Sequence, residues 1–233
     1  MSHFESFSGL HLGTVLGFAL AWWLLALIGL RVRGSSAEAP WRRLLGVWLL
    51  ACWLFANGAQ LMPGRFDVAS VLPLHPCDIA SLVAALAILR PGRVANALLY
   101  FWGLGFSVQA ILTPELSQGP AHLAFWTFWL PHANLSGAAI YALVVDRYRP
   151  GWGEARLAFG IALAYLALVL PFDLLTGFNY GYVGPAMPLQ PTLMDFLGPW
   201  PWRIGSLVAL TAAGFALLAW PWVALSQKPR SLA

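Results

Sequence analysis

Residues 10–30 read LHLGTVLGFALAWWLLALIGL, and residues 31–33 read RVR. Twenty-one residues pass without one Asp, Glu, Lys or Arg, and then two arginines close the run. At a rise of about 1.5 Å per residue this run makes a helix about 30 Å long, the thickness of a bilayer's hydrocarbon core. Six further apolar runs follow, at 44–63, 76–90, 94–113, 123–145, 157–175 and 204–225. The reading is an all-α membrane protein of about seven transmembrane helices, forming a single integral membrane domain over residues 1–233.

Composition agrees with that reading. Of 233 residues, 13 are Lys or Arg and 9 are Asp or Glu, while 60% are hydrophobic. Mean hydropathy is +0.71. Soluble domains carry roughly 25% charged residues; with 9%, this chain could not cover a water-exposed surface. Disorder is excluded by the same numbers, since it requires low hydrophobicity and high charge. The net charge of +4 does not point to nucleic acid, because no basic run exceeds the pairs Arg31/Arg33 and Arg42/Arg43. The partners expected are membrane lipids, with no nucleic acid; oligomeric state is not legible.

The basic residues segregate by connection. Arg31, Arg33, Arg42 and Arg43 follow the first run, Arg90 and Arg93 the third, Arg147, Arg149 and Arg156 the fifth, and Lys228 and Arg230 the last. Only Arg65 and Arg203 fall on the other side. The positive-inside rule then places the N-terminus outside and the C-terminus in the cytoplasm, in a cell (inner) membrane. The first run is read as a retained span, not a cleaved signal, because no Lys or Arg precedes it and four arginines follow. Cys52 and Cys77 are too few for a disulfide framework, and their different depths argue against a bond between them.

Polar residues at membrane depth are costly and become functional candidates. In Leu72-Pro-Leu-His-Pro-Cys-Asp78, proline suits the first helical position, so His75 is the expected N-cap and the helix starts at Pro76. From Pro76 to Arg90 is about 21 Å, too short for the core by about 9 Å. Either the membrane thins there, or residues 70–75 enter as irregular backbone packed against protein. Both readings put Cys77 at a helix N-terminus, where the dipole favours thiolate; the plain alternative is a small buried hydrophobe. His132 follows Pro131 at a comparable depth and could pair with Cys77, or act as interhelical glue. Asp173, Asn57, Gln60, Gln109, His11, Asn179, Tyr180 and Tyr182 fall in the same outer half. The expectation is a cavity open to the outer side or outer leaflet, drawn from helices 1 to 6.

A thiol with an imidazole is the minimum for nucleophilic acyl transfer. Cys77 would be the nucleophile and His132 the base, with Asp173 or Asp78 orienting the imidazole as a third group does in a triad. Asn57, Gln60, Gln109 or Asn179 could donate to an oxyanion. His75, His122 and Tyr180 complete the expected substrate-binding set. A metal held by His75, Cys77, Asp78, His122, His132 and Asp173 is the rival chemistry. However, no H-x-x-x-H or H-E-x-x-H occurs, and His122 and His132 do not share a helix face. The expectation is no metal and no cofactor.

Several segments in combination resemble the bacterial YwaF-like integral membrane family. They are Leu72-Pro-Leu-His-Pro-Cys-Asp-Ile79, Tyr100-Phe-Trp-Gly103, Gln109-Ala-Ile-Leu-Thr-Pro114, His122 to His132, Asn179-Tyr-Gly-Tyr182 and Leu197-Gly-Pro-Trp-Pro-Trp202. Pro76 departs from the bulkier apolar residue expected between the His and the Cys. The family is distantly similar to a eukaryotic group of multi-pass phospholipid acyltransferases thought to use a Cys and a His. By motif these would fall on Cys77 and His132, so the resemblance implies a lipid acyltransferase or transacylase. The alternative is a non-catalytic binder or transporter of a small amphiphile.

Overall fold

The computed structural model describes residues 3–69, 71–186 and 193–226, with the backbone only for 193, 194 and 226. Among these residues the chain is helical: α1 Gly9–Val32, α2 Glu38–Ala59, α3 Pro76–Leu89, α4 Arg93–Gly105, α5 Ser107–Leu112, α6 Leu123–Val144, α7 Trp152–Thr176 and α8 Trp202–Ser226. The helices α4 and α5 meet end to end at Phe106, so the eight make seven segments, one on each apolar run. Four segments are long and apolar enough to cross a membrane: Gly9–Val32, Arg93–Leu112, Trp152–Thr176 and Trp202–Leu225.

Two details of the sequence reading change. Arg31 lies inside α1, Arg42 and Arg43 inside α2, Arg93 at the start of α4 and Arg156 inside α7, not in connections. Their helices run past the apolar stretch because the backbone keeps its internal hydrogen bonds while the charged side chains reach polar surroundings. Lys228 and Arg230 lie outside the described residues.

The helix α6 is the hub, packing against α1, α2, α3, α4 and α5. Small residues let it be approached closely. A side chain at Gly137 would overlap the Trp22 indole, and one at Gly29 of α1 would overlap the Tyr141 ring. In lipid there is little hydrophobic drive between helices, so such close packing and interhelical hydrogen bonds hold the bundle. Asn134 of α6 supplies the bonds: its Oδ1 accepts from Trp22 Nε1 at 3.1 Å and Trp48 Nε1 at 3.4 Å, while Nδ2 donates to Cys52 Sγ at 3.2 Å. Cys52 is thus part of the packing, and both cysteines are free thiols.

The aromatic stretch Tyr100–Trp102 of α4 fastens the outer pair of helices. Trp102 Nε1 donates to Ala158 O of α7 at 3.1 Å, and Tyr100 Oη donates to Leu218 O of α8 at 3.0 Å. At the arginine-rich end, Arg42 donates from Nε to Ile88 O at 2.8 Å and pairs with Asp146 through both guanidinium nitrogens. That side chain ties α2 to the C-terminal carbonyls of α3 and to the end of α6.

Candidate functional site

Proline at the first position of α3 costs no hydrogen bond, and His75 takes the extended N-cap conformation before it (φ −63°, ψ 145°). Asp78 in the first turn accepts from the His75 backbone N–H through Oδ2 at 3.2 Å. The approach to this helix start is held by two phenols. Tyr165 Oη donates to Leu74 O at 2.8 Å, and Leu72 N–H donates to Tyr180 Oη at 3.1 Å. Tyr165 stands eleven residues before the end of α7, about 17 Å along its axis. The segment 71–75 therefore runs as irregular backbone against protein, opposite the middle of α7. That is the packing expected in the second of the two readings the short α3 left open.

A cavity of about 450 Å³ opens at that helix start. Cys77, Asp78, His75, His132, Asn57, Gln60 and Gln109 all line it, joined by Glu115, Tyr165 and Tyr182. The rest of the wall is largely apolar, built by Phe159, Ala162, Leu163 and Leu166 of α7 and by Ile204, Leu207, Val208, Leu210, Gly214 and Phe215 of α8, with Thr113, Thr127 and Thr211 set among them. The spacing of three and four along α8 puts its lining residues on one face over about three turns.

His132 is positioned by its own helix. Its Nδ1 lies 2.7 Å from Phe128 O, and its ring stacks on Phe128 at 4.5 Å between centroids. Ser107 Oγ donates to His132 O at 2.8 Å, pinning the backbone beside Pro131. A carbonyl only accepts, so Nδ1 carries the proton, and a neutral ring keeps its lone pair on Nε2. That nitrogen has no hydrogen-bond partner among the described residues. His75 has the reverse arrangement: Gly181 N–H donates to its Nδ1 at 3.3 Å. His75 and His132 are within electrostatic reach of each other. Cys77 makes no hydrogen bond to His132; both groups face the cavity.

Four expected site residues, and His11 with them, stand elsewhere. Asp173 is fully buried beside the Tyr180 backbone and does not line the cavity. The group that orients His132 is the Phe128 carbonyl, not Asp173 or Asp78. His122 is the N-cap residue of α6 and Asn179 donates to Ala186 O at 3.1 Å; neither lines the cavity. Tyr180 lies behind His75, ring to ring at 5.1 Å. His11 is a satisfied core histidine, accepting from Phe7 N–H at 2.8 Å and lying 2.9 Å from Ile111 O, so α1 contributes nothing to the lining. Among the described residues no three of His, Cys, Asp and Glu stand close enough to share a metal ion.

Sequence reasoning missed Tyr165, Glu115 and all of α8. The signal for Tyr165 was available, as a hydroxyl alone in a long apolar helix. For α8 there was none, because an apolar lining residue and a lipid-facing one look the same in sequence.

No curated protein and no solved structure matches the chain. The model of the TMEM164 family matches residues 4–219, nearly the whole described bundle. A chain of apolar helices matched from its first helix into its last belongs to that family of transmembrane proteins, the TMEM164 family.

Proposed function

We propose that the protein transfers acyl groups between membrane lipids through a thioester on Cys77, with His132 as general base. The observation that carries this reading is one cavity lined both by a thiol at a helix start and by an imidazole whose Nδ1 is taken up by a backbone carbonyl. Its shape supports a lipid. The apolar wall from Ile204 to Phe215 runs about 16 Å along α8, about half the ~30 Å core and so one leaflet deep. Leu163 and Leu210 line this wall yet are 41% and 40% exposed, so an edge of the cavity meets the bundle surface between α7 and α8. Cys77 reacts with an ester drawn from the leaflet, and a second lipid hydroxyl takes the acyl group. The likeness to the YwaF-like proteins and to eukaryotic phospholipid acyltransferases points the same way. In this reading all seven segments cross a cell membrane, with the N-terminus outside.

The test is mass spectrometry of purified protein incubated with a phospholipid bearing a labelled acyl chain. Labelled acyl on Cys77, lost in Cys77→Ala and reduced at least tenfold in His132→Ala, is expected. Tight lipid binding with no acyl on Cys77 in wild type would instead indicate a non-catalytic binder or transporter of an amphiphile.

A further inference from the structure

We propose that His75 donates the oxyanion hydrogen bond of this reaction, presenting Nε2–H to the carbonyl oxygen while His132 presents a lone pair to the thiol. The inference rests on the acyl-transfer reading above.

The two rings are locked in opposite tautomers by backbone groups of opposite kind. At His132 the partner is a carbonyl, which requires a proton on Nδ1. At His75 the partner is the Gly181 N–H, which requires a lone pair on Nδ1 and therefore leaves the proton of a neutral ring on Nε2. A charged His75 would set two donors against each other at Nδ1, so the Gly181 bond holds the ring neutral. The ring cannot turn freely, because it sits between Tyr180 at 5.1 Å and Tyr182 at 5.7 Å. The donor itself demands glycine: Gly181 has φ +65°, and a Cβ there would stand 2.7 Å from Tyr165 Oη. His75 Nε2 has no hydrogen-bond partner among the described residues, and the residue lines the same cavity as Cys77, two positions along the chain. A preorganised donor aimed at the oxygen is the arrangement that stabilises developing charge there.

The step balances as follows. Cys77 Sγ forms a bond to the ester carbonyl carbon, and its proton passes to His132 Nε2. The carbonyl π pair moves to oxygen, where His75 Nε2–H meets it. Collapse restores the carbonyl, breaks the bond to the alkoxy oxygen, and that oxygen leaves with the proton from His132 as an alcohol. A second alcohol runs the sequence in reverse on the thioester.

The experiment follows acyl-Cys77 formation from a labelled phospholipid in vesicles, comparing wild type with His75→Ala, His75→Phe and His75→Gln. Phenylalanine keeps a ring between the two tyrosines but cannot donate, and glutamine restores an N–H. We expect kcat to fall about 100-fold or more in His75→Ala and His75→Phe, with KM within about threefold. His75→Gln should recover at least tenfold of that loss. Alanine or phenylalanine variants that keep wild-type kcat, or a glutamine variant no better than phenylalanine, overturn the role of His75 while leaving acyl-Cys77 intact. Absence of acyl-Cys77 in wild type removes the acyl-transfer reading itself, and His75's role with it.

Discussion

A single glycine shows how closely chemistry and backbone are joined here. Gly181 sits in the left-handed region, where a residue with a Cβ costs roughly 1–2 kcal/mol, and Tyr165 closes the space a methyl would need. Gly181→Ala should therefore lower the melting temperature in detergent only modestly. It should slow acylation of Cys77 at least tenfold, because the N–H that sets His75 must move. Equal acylation by variant and wild type would show that the lock is not needed. Asn134 is a contrasting case, outside the cavity lining and engaged with the packing of α1 and α2. Asn134→Leu strands the Trp22 and Trp48 indole N–H groups and the Cys52 contact. With membrane hydrogen bonds averaging about 0.6 and reaching about 1.7 kcal/mol, a loss of about 1–2 kcal/mol is expected in unfolding measurements, with acylation per folded molecule unchanged.

At the scale of the element, α3 decides the site. Its 14 residues make a helix about 21 Å long, and the segment before it is held against α7 by the phenol of Tyr165 on Leu74 O. Tyr165→Phe removes that bond, worth about 1 kcal/mol, and lets segment 71–75 shift. Impermeant thiol reagents should then reach Cys77 faster than in wild type; unchanged labelling would show that Tyr165 does not hold the segment. The other end of α3 is anchored by Arg42, whose side chain and that of Asp146 are 12% and 14% exposed. Removing one member of such a buried pair costs about 3–5 kcal/mol, so Arg42→Ala should be strongly destabilising in thermal denaturation. Arg42→Lys should recover less than half, because only a guanidinium bonds both carboxylate oxygens and Ile88 O at once. The start of α3 was legible from Pro76 and His75. The placement of the segment before it was not, because it depends on a tyrosine 91 positions away.

For the whole molecule, the gap between α7 and α8 should govern which chains are accepted. Gly214 lines the apolar wall, and a Cβ there meets nothing within 4 Å. Gly214→Phe should fold, still acylate Cys77 from short-chain lipids, and lose long-chain donors by at least tenfold; an unchanged chain-length profile would place the acyl chain elsewhere.

The seven apolar runs, the helix start at Pro76 and the choice of Cys77 and His132 as candidates came from the sequence alone. Hydropathy and proline geometry are local properties that any reader of the chain can sum. Only the tertiary structure separated lining residues from packing ones. It put Asp173, His122, Asn179 and His11 outside the cavity, brought α8 into it, and replaced the expected carboxylate behind His132 with the Phe128 carbonyl. The physical reason is that a buried polar group takes whichever partner the neighbouring helices present. Which helices those are follows from packing around Gly137, Gly29 and Asn134, not from the residue itself.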